Sequence, residues 1–595
     1  MNEFLSEQVL EGEGVSRGVA IGIPYRFMYK SLKVQEYSLA EGQISAEMER
    51  FRRALHLSSR ELHQLKGELE EEGSFDAALI LEAQLQLLND PLLLADVEAK
   101  IGERLVCAET VFQEELAKYH AQFQALADPF FRERFKDLED LARRVLRHLA
   151  GKTNGILSAA PAGAIVFAEE LTPSETASAQ SSDIAAFVTE HGGSTGHAAI
   201  VARAKGIPFV ARIDFRGIQL PSDQPVIVDG RLGRVILNPT KETLARYQKI
   251  HRRLHGLMQS LVGQCDYKSE TYDGHPVRLT ANLDEVRELS LLQKYGVTGV
   301  GLFRSEYLYL ARQEVPPEEE QYQSYRNIVE ALKGYPVVFR FFDLGGDKHS
   351  DCDGTHHETN PYLGCRAIRL LLRRPDIFRP HIRAILRASA LGNVSLLLPF
   401  VSTVKELRMV KGIIAEERAN LQEKGLTLIH PIRIGCMIEV PSAALIAEHF
   451  ARECDFLSIG TNDLVQYALA VDRTNQSLGN YYTCLDPGVL RLIRDVVLRA
   501  QRHNVPVSLC GEMAADPRCT LVLLGLGLTD LSAATRCLPL IRHVIRRTSI
   551  VEARRMTRQI LQFASAEEVF NFLHHEYSRL VPEDCLYNPT NHSVA

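Results

Sequence analysis

From Ile44 to Ala150 apolar residues recur every three or four positions with little glycine or proline between them, as in AALILEAQLQLLNDPLLLADVEAKIGERL (77–105). That period predicts amphipathic helices, and residues 31–150 are read as a helical subdomain. The flanks read differently. A Gly/Val-rich start, GEGVSRGVAIGIPYRF (12–27), and a later run of short apolar stretches predict strands. The helices are therefore expected as an insertion after the first strand of an α/β domain, with residues 1–30 before it and 151–240 after it. In the later part, AGAIVFAEELTPSETASA (162–179) predicts a strand, a turn and a helix start, with Thr172 as cap, Pro173 at the first helical position and Glu175 completing a capping box. IAAFVTEHGG (184–193) reads as a buried strand and VIVDGRLGRVILNP (226–239) as a hairpin.

KETLARYQKIHRRLHGLMQSLV (241–262) predicts one charged linker helix. Beyond it, over residues 263–595, apolar runs alternate with amphipathic helical stretches. The runs are VRLTANL, VTGVGLFR, PVVFRFFDLG, VSLLLPF, IRIGCMIEV, CDFLSIGTND, PVSLCGE and LTDLSAA. Eight strand–helix repeats predict a (β/α)8 barrel of the TIM type. Their C-terminal tips carry polar groups that a buried strand does not need: Asn282, Arg304, Arg340 with Asp343, Glu439, Asn462 with Asp463, and Cys510. One such residue is more often a surface group or half of an ion pair; agreement among six strands points to an active site, which in this fold sits at those tips.

Composition narrows the chemistry. A chain of 595 residues, 45% of them hydrophobic, supports several cores, and a formal net charge of -7 with no extended basic block gives no reason to expect nucleic-acid or membrane binding. The acidic N-terminus MNEFLSEQVLEGEG is not a signal sequence and no apolar run is long enough for a membrane span, so a cytoplasmic protein is expected. The eleven cysteines lack a C-x-x-C pair and read as reduced thiols.

Glu439 and Asp463 end consecutive predicted strands, so their carboxylates converge. Two hard oxygen donors with room for water suit Mg²⁺ shared with a substrate phosphate. Arg304, Arg340 and Arg366 offer forks for phosphate or carboxylate, with Arg473 just past the sixth strand. The loop DLGGDK (343–348) adds glycine-freed N–H groups and the charge of Lys348. A small phosphorylated carboxylic acid is the expected substrate. In the α/β domain, GGSTGHAAIVARAKGIPFVA (192–211) sets His197 in the first turn of a helix ending at Gly206, with Ser194 or Thr195 as cap. The positive end of that helix keeps the imidazole neutral and then favours a phosphate on it, which suits a phosphohistidine. A surface or capping histidine is the commoner case; a metal ligand lacks partners at ligand spacing.

Together with GVGLFRSEYLYL, RFFDLGGDK, NPYLGCRAIR, CMIEVPSAA, SIGTNDLVQYALAVDR and LCGEMAADP, that segment resembles the enzyme I family of the bacterial phosphoenolpyruvate-dependent phosphotransferase system. The resemblance runs over essentially the whole chain, including FRERFKDLEDLARRVLRHL in the helical insertion. It implies a swivelling phosphohistidine α/β domain and a barrel that binds phosphoenolpyruvate. His197 would accept the phosphoryl group and pass it to the phosphocarrier protein HPr, releasing pyruvate. Arg304, Arg340, Asn462 and Arg473 would hold phosphoenolpyruvate, Glu439 and Asp463 the Mg²⁺ ion, and Cys510 would protonate the enolate, with Thr195, Lys348 and Arg366 in support. HPr would dock on the helical insertion, and the chain would form a homodimer through the barrel. Gly196 stands where the family usually has serine, and Cys365 where an aromatic is usual.

Pyruvate phosphate dikinase and phosphoenolpyruvate synthase share the phosphohistidine domain and barrel, but they need an ATP-binding domain for which this chain has no room. A catalytically silent scaffold is the other alternative; intact His, Arg, Glu, Asp and Cys at the matched positions oppose it.

Overall fold

The computed structural model describes residues 6–27, 37–71, 75–88, 91–125, 140–151, 160–179, 184–193, 197–221, 224–262, 267–284, 288–306, 308, 315–345, 360–426, 431–473, 478 and 481–581. The chain forms two compact units, Met1–Arg252 and Arg253–Ala595, divided within the helix Lys241–Val262.

In the first unit the chain opens on four short strands, β1 (Gln8–Glu11), β2 (Glu13–Ser16), β3 (Val19–Gly22) and β4 (Pro24–Phe27), within the leading segment expected to hold the first strand or strands. Glycine lets four strands fit there. A Cβ on Gly14 would lie 2.4 Å from the carbonyl oxygen of Gly230, and one on Gly22 would lie 2.2 Å from that of Gly163, so bare backbone lets the strands cross at close range. After the helical insertion come β5 (Ala164–Ala168), β6 (Ile184–Thr189), β7 (Phe209–Ala211) and the hairpin β8 (Val226–Asp229) with β9 (Arg234–Leu237). They build two sheets, ordered β1-β9-β8-β3 and β2-β7-β6-β5-β4. The apolar runs of β5 and β6 are buried on both faces, as parallel neighbours between two layers must be.

The insertion contains helices over Ile44–Glu71, Phe75–Leu88, Pro91–Arg104 and Ala108–Ala125, whose periodic apolar faces bury Phe51, Leu62, Leu81, Val97, Ile101 and Val111. Each such side chain contributes roughly 2 kcal/mol by leaving water. Asp140 ties the insertion to the α/β domain: its carboxylate accepts from the amide of Gln84 at 3.1 Å and from the Ser174 hydroxyl at 2.7 Å. The Thr172–Glu175 capping box forms at the helix Pro173–Ser178 as the sequence predicts.

The second unit is a closed parallel barrel of β10 (Arg278–Leu283), β11 (Val300–Arg304), β12 (Val337–Arg340), β13 (Val394–Leu398), β14 (Arg433–Ile438), β15 (Phe456–Ile459), β16 (Val507–Leu509) and β17 (Asp530–Ala534). β10 pairs with β17 from Arg278–Asp530 to Asn282–Ala534 and so closes the ring. Outward residues such as Phe303, Phe339, Leu396 and Ile438 pack under the helices. The lumen mixes apolar and hydroxyl side chains. Leu302, Val338, Leu397, Met437 and Phe456 form an apolar cluster, while Thr280, Ser395, Ser458, Ser508 and Ser532 lie on β10, β13 and β15–β17.

Candidate active site at the barrel mouth

Arg304 and Arg340 end β11 and β12, Glu439 follows β14 by one residue, and Cys510 follows β16 by one residue. The geometry of the fold therefore carries these side chains to the C-terminal mouth. Asn462 and Asp463 differ from the expectation that they end a strand. β15 stops at Ile459, and both residues sit in the first turn of the helix Thr461–Leu469. Gly460 makes that turn possible: a Cβ there would be 2.6 Å from Oε2 of Glu439.

Arg366 organises the acidic groups. It is buried, donates from Nη2 to both oxygens of Asp343 at 3.0 and 3.1 Å, and from Nη1 to Asp463 at 3.0 Å. Its guanidinium lies 4.5 Å from the centre of the Phe400 ring. The fork expected to hold substrate instead fixes two carboxylates. Arg340 is buried against Glu306, with Asp343 at 3.5 Å. Burial opposes its charge, but Glu306 and Asp343 more than compensate and hold the guanidinium firmly protonated. Arg304 reaches Asp284 at 3.3 Å with 30% of its side chain exposed, and Arg473 stands 4.0 Å from Asp463. Asn462 is locked onto Glu512, donating to its carboxylate at 3.1 Å and accepting from its amide at 2.9 Å.

Glu439 is buried and accepts from the amide of Phe400 at 2.6 Å. Phe400 has a φ of +56°, a conformation costly for a bulky residue and retained here where it aims that amide at the carboxylate. Burial, then the charges of Asp463 and Asp343, push the Glu439 carboxyl up to about 8, against the pull of Arg340 and Arg366. Three acidic side chains thus crowd one buried place. Nε of Arg340 and Nε of Arg366 are buried there without a hydrogen-bond partner. A divalent cation bound with an anionic substrate would relieve the repulsion, so the residues fit Mg²⁺. Among the described residues no three His, Cys, Asp or Glu side chains form a metal cage; two carboxylates, with substrate and water completing the shell, are what Mg²⁺ sites commonly use.

Cys510 is buried, accepts from the Ser458 hydroxyl at 3.3 Å, and lies 3.7 Å from the carbonyl of Ile459. Burial pushes its thiol up, partly offset by the Ser458 hydrogen bond, so it stays protonated near neutral pH. Asp284, Glu306, Phe400 and Ser458 were not anticipated from the sequence. Glu306 could have been, as an acid two residues beyond Arg304. The others are brought in only by tertiary packing.

In the first unit the helix His197–Lys205 opens at His197 and stops at Gly206, which has a φ of +68°. Gly193, just before it, lies against Arg212 and Glu13: a Cβ there would be 3.3 Å from each. The side chain of His197 is not described, and Thr195, Gly196 and Lys348 lie outside the described residues.

Family models described as PEP-utilising enzyme, N-terminal; PEP-utilising enzyme, mobile domain; and PEP-utilising enzyme, PEP-binding domain match residues 11–134, 160–233 and 260–550. The phosphoenolpyruvate-protein phosphotransferases of Bacillus sp. (strain S) and Geobacillus stearothermophilus are each 37% identical over 579 residues, covering 97% of this chain and 100% of theirs. That of Priestia megaterium is 38% identical over 564 residues, covering 95% of this chain and 98% of its own.

Proposed function

The chain belongs to the phosphoenolpyruvate-protein phosphotransferase family, and from that premise we propose how its own residues carry out the reaction. The enzyme transfers the phosphoryl group of phosphoenolpyruvate to a histidine of its own and then to HPr, the first step of the phosphotransferase system. His197 is the acceptor, at the start of a helix whose free amides favour the phosphate it gains. Arg304, Arg340, Asn462 and Arg473 hold the substrate's anionic groups, and Arg366 holds Asp343 and Asp463 in place. Glu439 and Asp463 hold Mg²⁺, which when bound neutralises charge on the phosphoryl oxygens. As the phosphoryl group leaves, the remaining enolate takes the Cys510 proton at carbon, and ketonisation to pyruvate makes transfer to nitrogen favourable. Thr195, Lys348 and the departures at Gly196 and Cys365 stay secondary in this scheme. The helical subdomain 31–150 receives HPr, the phosphohistidine domain 151–240 swivels, residues 241–262 link it to the barrel, and the barrel 263–595 forms the homodimer. No described helix is long and apolar enough to cross a membrane.

The observation carrying this reading is the buried acidic group of Glu439, Asp463 and Asp343 among arginines near the buried Cys510 thiol. Incubation with labelled phosphoenolpyruvate and Mg²⁺ tests it. The wild-type chain takes up acid-labile label and His197→Ala takes up none, while both bind phosphoenolpyruvate. Label retained in the variant moves the acceptor elsewhere.

A further inference from the structure

We propose that Ser458 and Ser508 relay a proton through the barrel interior to the Cys510 thiol, drawing it from the N-terminal face, opposite the mouth that takes phosphoenolpyruvate. The inference rests on the reading of Cys510 as the acid that protonates the enolate.

The three groups form a directed chain. Ser508 Oγ donates to Ser458 Oγ at 3.0 Å, Ser458 Oγ donates to Cys510 Sγ at 3.3 Å, and the thiol points on to the carbonyl of Ile459. Ser458 is completely buried. Ser508 is half-buried and lines a pocket at the starts of the strands with Arg278, Arg433 and Asp530, about 490 Å³ of space that includes open solvent. The pocket opens to solvent, and Arg278, Arg433 and Asp530 give water polar partners in a lining that also contains Val300, Val338 and Phe456. The chain therefore runs from a wet opening to the thiol without a gap longer than a hydrogen bond.

Packing alone does not ask for these hydroxyls. Elsewhere in the lumen Leu302, Val338, Leu397, Met437 and Phe456 pack as an apolar cluster around Cys510, and a buried hydroxyl is costly unless paired. The neighbouring polar groups do pair among themselves: Ser532 donates to Asn282 at 2.6 Å, and Asn282 donates to the carbonyl of Cys510 at 2.9 Å. Those bonds fix the strand end. Ser508 also stands 3.5 Å from the Leu457 carbonyl, but its shorter bond runs to Ser458 and through it to the sulfur.

The chemistry supplies the need. Each turnover forms a C–H bond at the enolate carbon with the Cys510 proton, and the S–H electron pair stays on sulfur as a thiolate. That thiolate must regain a proton before the next turnover, in a place where burial disfavours its charge. The Ser458 hydroxyl gives its proton to sulfur, the Ser508 hydroxyl gives its own to the Ser458 oxygen, and a pocket water restores Ser508. Hydroxide released into the pocket is neutralised by bulk buffer. The net event is one proton taken from solvent, with both serines unchanged. Entry from below lets this happen while pyruvate still covers the mouth.

Rapid-quench measurement of pyruvate on the full-length protein, with saturating phosphoenolpyruvate, Mg²⁺ and HPr, separates the first turnover from later ones. The first uses the proton already on the thiol. Ser508→Ala is expected to keep the first-turnover rate and kcat/KM for phosphoenolpyruvate while later turnovers slow about tenfold or more, with Ser508→Thr restoring them. Ser458→Ala should behave alike, and the half-buried Ser508 variants serve if it fails to fold. Equal slowing of the first and later turnovers in Ser508→Ala, or no slowing at all, overturns the relay. Cys510→Ala is the separate arm: normal pyruvate formation there refutes the acid assignment itself, whereas its loss beside an unaffected Ser508→Ala refutes only the relay.

Discussion

Glu439 shows how a single side chain is set against the stability of its own fold. Its charged form is disfavoured by burial and by Asp463 and Asp343, so the amide of Gln, which still accepts from Phe400, should sit there more comfortably. In metal-free protein at pH 7, Glu439→Gln is expected to raise unfolding stability, on the order of 2 kcal/mol, in urea titrations. The same variant should lose most of its Mg²⁺-dependent turnover, by several kcal/mol of barrier. Normal turnover at limiting Mg²⁺ would refute the ligand assignment. The roles of such residues were unequally legible. Glu439 and Cys510 announce themselves as polar groups ending apolar runs, but Arg366 reads from sequence as one more substrate fork. Only its burial between Asp343 and Asp463 shows it to be the brace of the acidic group.

At the scale of elements, the helix Pro375–Ser389 supports the tips that carry Arg304 and Arg340. His381 on that helix stacks on Phe342 at 3.7 Å, donates from Nδ1 to the amide oxygen of Gln321 at 2.8 Å with the Tyr325 hydroxyl 3.1 Å from the same nitrogen, and stands 3.5 Å from Ser305, whose hydroxyl donates to the carbonyl of Arg340 at 2.5 Å. Complete burial pulls its pKa down to about 3. The unfolded chain protonates this histidine near 6.5, so its contribution is full above that pH and is lost as pH falls toward 3. Roughly 2–3 kcal/mol of barrel stability should disappear between pH 7 and pH 4.5. Urea unfolding at both pH values should show a smaller loss in His381→Gln than in wild type; an equal loss would mean that this imidazole does not titrate on unfolding. The eight strands were readable because each is an apolar run bounded by polar turns. Asn462 and Asp463 were misplaced because a polar end to such a run looks alike whether the strand continues or a helix begins after Gly460. The division of the leading segment into four strands was hidden by glycines that serve close backbone crossings with partners some two hundred residues away.

For the whole molecule, the division within the helix Lys241–Val262 separates the proposed acceptor from every proposed phosphoenolpyruvate group. A fragment of residues 1–262 should fold, with a cooperative unfolding transition, and exchange label with phosphorylated HPr, yet stay unlabelled by phosphoenolpyruvate. Labelling from phosphoenolpyruvate, or refusal of the HPr phosphate, would break the assignment of one step to each unit. The pairing of β1 with β9 bears on how this molecule is made. β1 spans Gln8–Glu11 and, among the described residues, its partner strand is Arg234–Leu237, so at about 5–20 residues per second it leaves the ribosome roughly 10–50 s before that partner exists. The helices from Ile44 onward, which find their core within the next hundred residues, can settle first. Val9, Leu10 and Val15 meanwhile travel on a nascent chain whose strand edge is open until the pairing segment has been made.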